Sequence, residues 1–402
     1  MNLFNKAFCR IYQFAFRVAM PFLPYREPEK LDSVSEIAPL VKKLGMSGVL
    51  LVTDGFLRKS GATQELEKSF EEFDIRCSVY DKTNANPTVS NVEEAFEMYN
   101  AKGCQCLVAY GGGSSMDCAK AVGARVAYPR RKLNKMAGLL RVWRKLPVLI
   151  AVPTTAGTGS EVTVTAVITD SDTKHKYTMN NFTMIPSYAV LDPRVTYSLP
   201  QSLTATTGMD ALTHAVEAYI GRSTTKETRR LATEAVRLIF ENIETAYLDG
   251  NDDTARRNML HGAYMAGIAF SKSYVGYIHA VAHSLGGQYN VPHGLANSVL
   301  MPIVLEAYGD SVHKKLYDLA LAAGVATTKD TFARGASKFI DAIRSMNKRM
   351  GIPETIEGIR KEDIPKMAKY AAKEANPLYP VPVLMDASEL EQFYNKVERK
   401  CS

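Results

Sequence analysis

The sequence predicts a chain in two parts: an α/β half built on a parallel, helix-covered sheet, then an all-helical half. Three observations carry this. Apolar strand-like runs alternate with helix-periodic segments between Gly48 and Pro153, strand signals vanish from about Gln201 onward, and 402 residues suffice for two domains with separate cores. At 46% hydrophobic and 23% charged, the composition is that of an ordinary globular protein rather than a disordered or fibrous one.

The opening segment, Met1 to Tyr25, is the compositional oddity. Phe4, Phe8, Ile11, Phe14, Phe16, Val18, Met20 and Phe22 are interleaved with Lys6, Arg10 and Arg17, and Pro21 and Pro24 close the run. A secretory signal keeps its charges ahead of a clean apolar stretch; here they interrupt it. Residues 1–28 therefore read as a basic amphipathic extension that packs on the body of the protein or on a partner subunit. Peripheral membrane contact is the second, less favoured reading.

Residues 29–200 form the expected α/β domain. GVLLVTD from Gly48 reads as a buried strand ending at Asp54, followed by a helix from about Thr63 to Phe73. Ile75–Tyr80 is a short strand, Asn84–Thr88 a turn, and Val89–Lys102 a helix. Cys104–Tyr110 is a strand that runs into Gly111-Gly112-Gly113-Ser114, with helix from Cys118 to Ala127, and PVLIAVP at Pro147–Pro153 is another strand. VTVTAVITD (Val162–Asp170), KHKYTM (Lys174–Met179) and YAVLD (Tyr188–Asp192) read as antiparallel additions to the sheet. Pro200 marks the boundary. Helices at Ala205–Ile220, Glu227–Asp249 and Asp253–Phe270 open the helical domain, residues 201–402.

A net charge of +7 comes with no nucleic-acid motif, and PRRKLNK at Pro129–Lys135 with Arg141–Lys145 reads as a solvated basic loop, so no nucleic-acid partner is expected. Six scattered cysteines without a CxxC pair read as free thiols in a reducing, cytoplasmic compartment. No apolar run reaches the roughly 18 residues of a membrane span.

Two loops carry phosphate-binding chemistry. Glycines at Gly111–Gly113, between a strand and a helix, let backbone N–H groups and a helix N-terminus approach a diphosphate. Thr154–Ser160 supplies a second loop of hydroxyls and glycines straight after a strand. Asp54, at the end of an earlier strand, either caps its loop or accepts hydrogen bonds from a ribose 2′-hydroxyl, which would favour NAD over NADP. The helical half carries metal chemistry. Asp210 and His214 lie one helical turn apart, and Tyr277–Gly294 (YIHAVAHSLGGQYNVPHG) holds His279, His283 and His293. One carboxylate and three imidazoles suit a divalent first-row metal. His279 and His283 are themselves four apart, so spacing leaves open which of them ligates. Pro292-His293-Gly294 reads as a helix junction.

GGGSSMDCAK, PTTAGTGSEVT, TGMDALTHAVE and the HAVAHSLGGQYNVPHG run resemble, in order, the signatures of the iron-containing (group III) alcohol dehydrogenases, from Asp54 to about Pro302. GIPETIEGIRKEDIPKMA at Gly351–Ala368 resembles the family's corresponding segment. The resemblance implies a dinucleotide-binding domain, a helical domain and an active site in the cleft between them. It assigns the metal to Asp210, His214, His279 and His293, and places His283 beside the metal as a proton-transfer group. It assigns cofactor contacts to Asp54, Asn86, Gly112, Gly113, Ser114, Ser115, Asp117, Thr154, Thr155 and Thr158, with Lys176 and the Thr196–Leu199 segment as further ones. The implied reaction is NAD(H)-dependent, metal-dependent interconversion of a small alcohol and its aldehyde, in a homodimer or larger homo-oligomer. Fe2+ is the implied ion, though the donor set would also hold Zn2+. Residues preceding the first strand are the departure from the family pattern. The rival readings are a glycerol-dehydrogenase-like zinc polyol dehydrogenase, a dehydroquinate-synthase-like lyase, and a non-catalytic nucleotide-binding protein. The intact glycine, hydroxyl and PHG motifs argue against the first two, and the four donors against the last.

Overall fold

The computed structural model describes residues 1–170 and 175–398, so Cys401 and the start of the KHKYTM run lie outside the described residues. The chain forms two compact units, Pro24–Leu199 and a second made of Met1–Leu23 with Pro200–Ser402. It opens with helix α1 (Leu3–Ala19). Through the α/β unit the elements run β1 (Glu29–Leu31), α2 (Ile37–Lys43), β2 (Gly48–Val52), α3 (Gly55–Lys59), α4 (Gln64–Glu72), β3 (Arg76–Tyr80), α5 (Val89–Ala101), β4 (Cys106–Gly111), α6 (Gly113–Ala127), β5 (Gly138–Leu139), β6 (Val148–Pro153), β7 (Thr165–Asp170), β8 (His175–Asn180) and β9 (Tyr188–Val190).

Six strands form one parallel sheet in the order β1-β9-β6-β4-β2-β3. Every residue of β2 and β4 is buried, as expected where helices cover both faces. Alternation divides the core: Leu50, Leu107 and Leu149 pack on one face, and Val49, Leu51, Cys106, Val108 and Ile150 on the other. The chain goes from β2 out to β3 and returns past β2 to β4. That reversal is the switch point at which open α/β sheets bind ligands. The register pairs Val52 with Ala109 and Gly111 with Pro153, so the segments following β2, β4 and β6 leave the sheet at one edge.

Three sequence expectations are corrected here. Tyr188–Val190 is not an antiparallel addition; β9 pairs parallel with both β1 and β6 inside the main sheet. β7 and β8 are antiparallel to each other, but with β5 they make a separate three-stranded sheet. Strand β1 carries no readable signal because only three residues, two of them charged and exposed, take part. The helix after the glycine turn begins at Gly113 rather than Cys118. Gly111 has φ +154, and a Cβ there would lie 2.4 Å from Ser115 Oγ, so this turn requires glycine.

The helical unit comprises α1, α7 (Gln201–Ile220), α8 (Lys226–Leu248), α9 (Asp253–Ser273), α10 (Tyr277–Tyr289), α11 (His293–Ala307), α12 (His313–Ala322), α13 (Phe332–Arg349), α14 (Ile364–Ala375) and α15 (Ala387–Val397). Helix α7 is buried at every residue from Gly208 to Ile220, the central position that a helix apolar nearly all round must take. It packs against α8, α9 and α11, while α10 packs on α11 and α14. Helix α1 is amphipathic as expected, but its seat is unexpected: only Cys9 and Gln13 are buried, and most of its aromatic side chains are exposed. No described helix is long and apolar enough to cross a membrane. Cys9, Cys77, Cys104, Cys106 and Cys118 are free, and burial pushes the Cys106 and Cys118 thiols up to about 12.

Candidate metal centre and dinucleotide loops

In the helical unit, Asp210 and His214 on α7, His279 on α10 and His293 at the first position of α11 converge, their ligand atoms all within 4.8 Å of one another. Asp210 Oδ1 lies 3.4 Å from His293 Nε2 and 3.7 Å from His279 Nε2. His214 stacks on His279 at 4.5 Å and on Phe270 at 4.2 Å, which fixes its ring plane. Helix α10 ends at Asn290 in the left-handed conformation, and Pro292 then starts α11, so the junction sets the position of His293. His283 projects from the same α10, half exposed, its ring stacked 5.2 Å from that of His293. Its Nδ1 contacts Glu374 Oε1 at 2.6 Å, and Glu374 also accepts from Tyr379 Oη.

Two residues that the sequence reading passed over complete the cluster. Glu217, buried two turns beyond Asp210, meets His279 Nδ1 at 2.6 Å and accepts the N–H groups of Gly276 and Ile278 at 2.9 Å. One carboxylate therefore caps the start of α10 and turns His279 Nε2 toward Asp210. A Cβ on Gly276 would lie 2.7 Å from Glu217 Oε1, so the glycine makes room for this contact. Asn297, buried one turn beyond His293, donates to Asp210 Oδ1 at 2.6 Å. No signal within the sequence could have found either, because both contacts join residues more than 60 positions apart.

The electrostatics favour a cation. Burial pushes the Asp210 carboxyl up, but His214 and His293 outweigh it and hold the group well below its usual range. Burial pulls His279 down, yet Asp210 and Glu217 raise it to about 9. The buried His279 Nε2 has no hydrogen-bond partner among the described residues. An orphaned imidazole nitrogen facing a carboxylate and two further imidazoles fits a divalent ion.

In the α/β unit the predicted cofactor residues gather at the switch edge. Asp54 follows β2 and caps α3, its Oδ1 accepting from the Phe56 and Leu57 N–H groups at 2.9 and 3.0 Å. Gly112–Ser115 follow β4, and Thr154, Thr155 and Thr158 follow β6. The two loops touch: a Cβ on Gly112 would sit 3.4 Å from Thr155 Cγ2, and one on Gly113 2.9 Å from Thr158 Cγ2. Ser114 Oγ donates to the Ala85 carbonyl, and Lys176 Nζ to Asn86 Oδ1 at 2.9 Å, which brings the Asn86 turn alongside. Asp117 Oδ1 accepts from Ser160 Oγ and Oδ2 from the Val167 N–H. Thr196 follows β9 and is buried with its hydroxyl on the Pro193 carbonyl, and the Leu199 N–H bonds back to the Thr196 carbonyl, both of them local bonds. Lys120 was also missed. It is fully buried, and its Nζ donates to Ser160 Oγ, to Thr163 through both carbonyl and hydroxyl, and to the Thr165 carbonyl, all at 2.9–3.0 Å. Burial pulls it down to about 8.

Residues 29–193 match the family model of iron-containing alcohol dehydrogenases, and residues 204–397 match the C-terminal model of Fe-containing alcohol dehydrogenases. The chain belongs to the iron-containing alcohol dehydrogenase family. It is 37% identical to a 1,3-propanediol dehydrogenase of Klebsiella pneumoniae over 365 residues, 90% of this chain and 93% of that one. Its identity to an NAD-dependent methanol dehydrogenase of Bacillus methanolicus is 36% over 352 residues, 87% of this chain and 92% of that one. A solved 1,3-propanediol oxidoreductase matches with a TM-score of 0.89 at 35% identity, covering 93% of this chain and 99% of its own. As a member of this iron-containing alcohol dehydrogenase family, the protein is an oxidoreductase acting on alcohols and aldehydes.

The role of Glu217 can be tested without touching a donor. Glu217→Gln keeps an acceptor for the Ile278 N–H but removes the charge that orients His279. Fe2+ or Zn2+ affinity, measured by chelator competition, is expected to fall about 10- to 100-fold. Unchanged affinity would mean that the helix cap alone explains this residue.

Proposed function

We propose that the protein is an NAD(H)-dependent, divalent-metal-dependent alcohol dehydrogenase or aldehyde reductase, moving hydride between the nicotinamide C4 and the carbon of a small alcohol or aldehyde. The observation that carries this reading is the convergence of one carboxylate and three imidazoles within 4.8 Å in a chain of this family. Asp210, His214, His279 and His293 would hold the ion, with Fe2+ the family's metal. Bound there, a divalent metal supplies Lewis acidity toward the substrate oxygen.

The protein's own groups do the rest. Glu217 and Asn297 hold His279 and Asp210 in place before the ion arrives. The nicotinamide dinucleotide would lie on the switch-edge loops, its pyrophosphate against the N–H groups that open α6. Asp54 Oδ1 serves the α3 cap, which leaves Oδ2 to receive ribose hydroxyls. We assign Asp117 and Lys120 to positioning, since their polar atoms already join α6 to the Ser160–Thr165 segment. His283, with Nδ1 held by Glu374, would exchange the alcohol proton at Nε2. The free cysteines, Cys9, Cys104, Cys106 and Cys118 buried and Cys77 partly so, support a cytoplasmic setting.

NADH oxidation with a panel of short aldehydes, before and after chelator treatment and metal restoration, tests the reading. Turnover that disappears on chelation and returns with Fe2+ or Zn2+ is expected. Undiminished turnover in protein shown to be metal-free would sink the metal-dependent assignment.

A further inference from the structure

Helix α1 is seated by its polar and small side chains, the reverse of a helix that packs its apolar face on a core. Arg10 donates to the Val381 and Pro382 carbonyls at 2.8 Å, and Gln13 Nε2 to the Tyr379 carbonyl at 2.7 Å. Cys9 is buried, and Phe16 meets the Tyr274 ring edge-on at 5.0 Å. These contacts fix the helix on its own unit while its other side points away. Leu3, Phe4, Phe8, Ile11, Phe14 and Val18 are 53–84% exposed. At 100° per residue they fall within an arc of about 140° opposite Cys9, so one continuous apolar stripe runs about 25 Å along the helix. Phe22, 83% exposed, follows it.

Monomeric proteins rarely leave so large a contiguous apolar strip in water. Charge identifies what covers it. Lys6 and Arg17 are exposed along one margin of the stripe, the margin that Arg10 anchors to the protein, and no acidic residue precedes Glu27. A two-fold contact would bring the same patch against itself, pairing these cationic margins with no acid on the helix to neutralise them. An anionic lipid surface meets both demands, receiving the aromatic side chains at the acyl boundary and the cations among its headgroups.

We propose that α1 is an interfacial helix that lays the enzyme on an anionic bilayer, parallel to the membrane plane and without spanning it. Co-sedimentation of the full-length holoenzyme tests this, using vesicles of phosphatidylcholine alone or mixed with phosphatidylglycerol. The mixed vesicles are expected to retain the protein, less so at high salt, and the neutral ones to retain far less. Lys6→Gln with Arg17→Gln should weaken partitioning about 25-fold. Phe4→Ser with Phe14→Ser should weaken it by roughly tenfold or more, with alcohol oxidation unchanged because both side chains lie on the exposed stripe and neither is among the metal or cofactor groups. No retention on anionic vesicles, or equal retention of the serine variant, overturns the proposal. So does a wild-type protein that ignores vesicles but whose sedimentation mass falls in the serine variant, which would make the stripe a contact between copies of this chain.

Discussion

Asp210→Asn is expected to purify without metal and to lose at least about three orders of magnitude in kcat/KM with a short aldehyde. Asp210 is the only anionic donor of the four, 3.4 Å from His293 Nε2 and 3.7 Å from His279 Nε2. Its replacement leaves three neutral imidazoles to hold a divalent ion in a buried site. Burial makes that loss severe, because a charge removed from a low-dielectric pocket is not replaced by water. Lewis acidity contributes several kcal/mol to such reactions, and about 4 kcal/mol corresponds to roughly a thousandfold in rate. Asparagine fills the same volume and can still accept from Asn297, so circular dichroism should show an intact fold. Elemental analysis alongside steady-state kinetics reads both effects. A variant with a full complement of metal and activity within tenfold of wild type would remove Asp210 from the ligand set.

How much of this site was legible follows from the kind of contact involved. Asp210 and His214 share one helix, so the period of 3.6 placed them together, and the Pro292-His293-Gly294 junction was visible in its residue types. The choice between His279 and His283 was not legible from spacing, since they sit four apart on α10. The structure distinguishes them by their partners: Glu217 from α7 turns His279 inward, while Glu374 from α14 holds His283 at the half-exposed rim. Those partners are 62 and 91 positions away, distances at which a single sequence carries no pairing signal. The same limit explains the sheet. Apolar runs located β2, β4 and β6, but β9 is parallel because the crossover from Pro153 to Tyr188, which carries β7 and β8 in their own sheet, brings it back beside β6, and its composition does not encode that. Lys120 looked like an ordinary helical lysine, and only the fold shows that it closes four hydrogen bonds to a segment 40 to 45 residues on. With α1 the amphipathic pattern was plain. Which face would be buried was not, because Arg10 and Gln13 find carbonyl partners only in the Tyr379–Pro382 turn.

Gly294→Ala, one methyl group beside a donor, is expected to be nearly as damaging as the loss of a ligand. A Cβ at this position would lie 2.4 Å from the Thr206 carbonyl oxygen and 2.8 Å from its carbon. Both are backbone atoms of α7, so no rotamer change can relieve the contact, and α11 must move off α7 at its first turn. Overpacking of this kind costs about 3 kcal/mol. The displacement falls where it matters most: His293 is the neighbouring residue, and Thr206 lies one turn before Asp210 on the same helix. Metal sites tolerate only about 0.2 Å in donor distance, so pulling His293 from Asp210 should lower metal affinity by roughly a hundredfold or more. Gly287→Ala, on the preceding helix α10, provides the comparison, because a Cβ there meets nothing within 4 Å. Alanine should be neutral or stabilising by up to about 1 kcal/mol at that helical position. Denaturant unfolding and metal titration of the two variants side by side separate a helix-propensity effect from a steric one. If Gly294→Ala matched Gly287→Ala in both, the close approach of α11 to α7 would not be what positions His293.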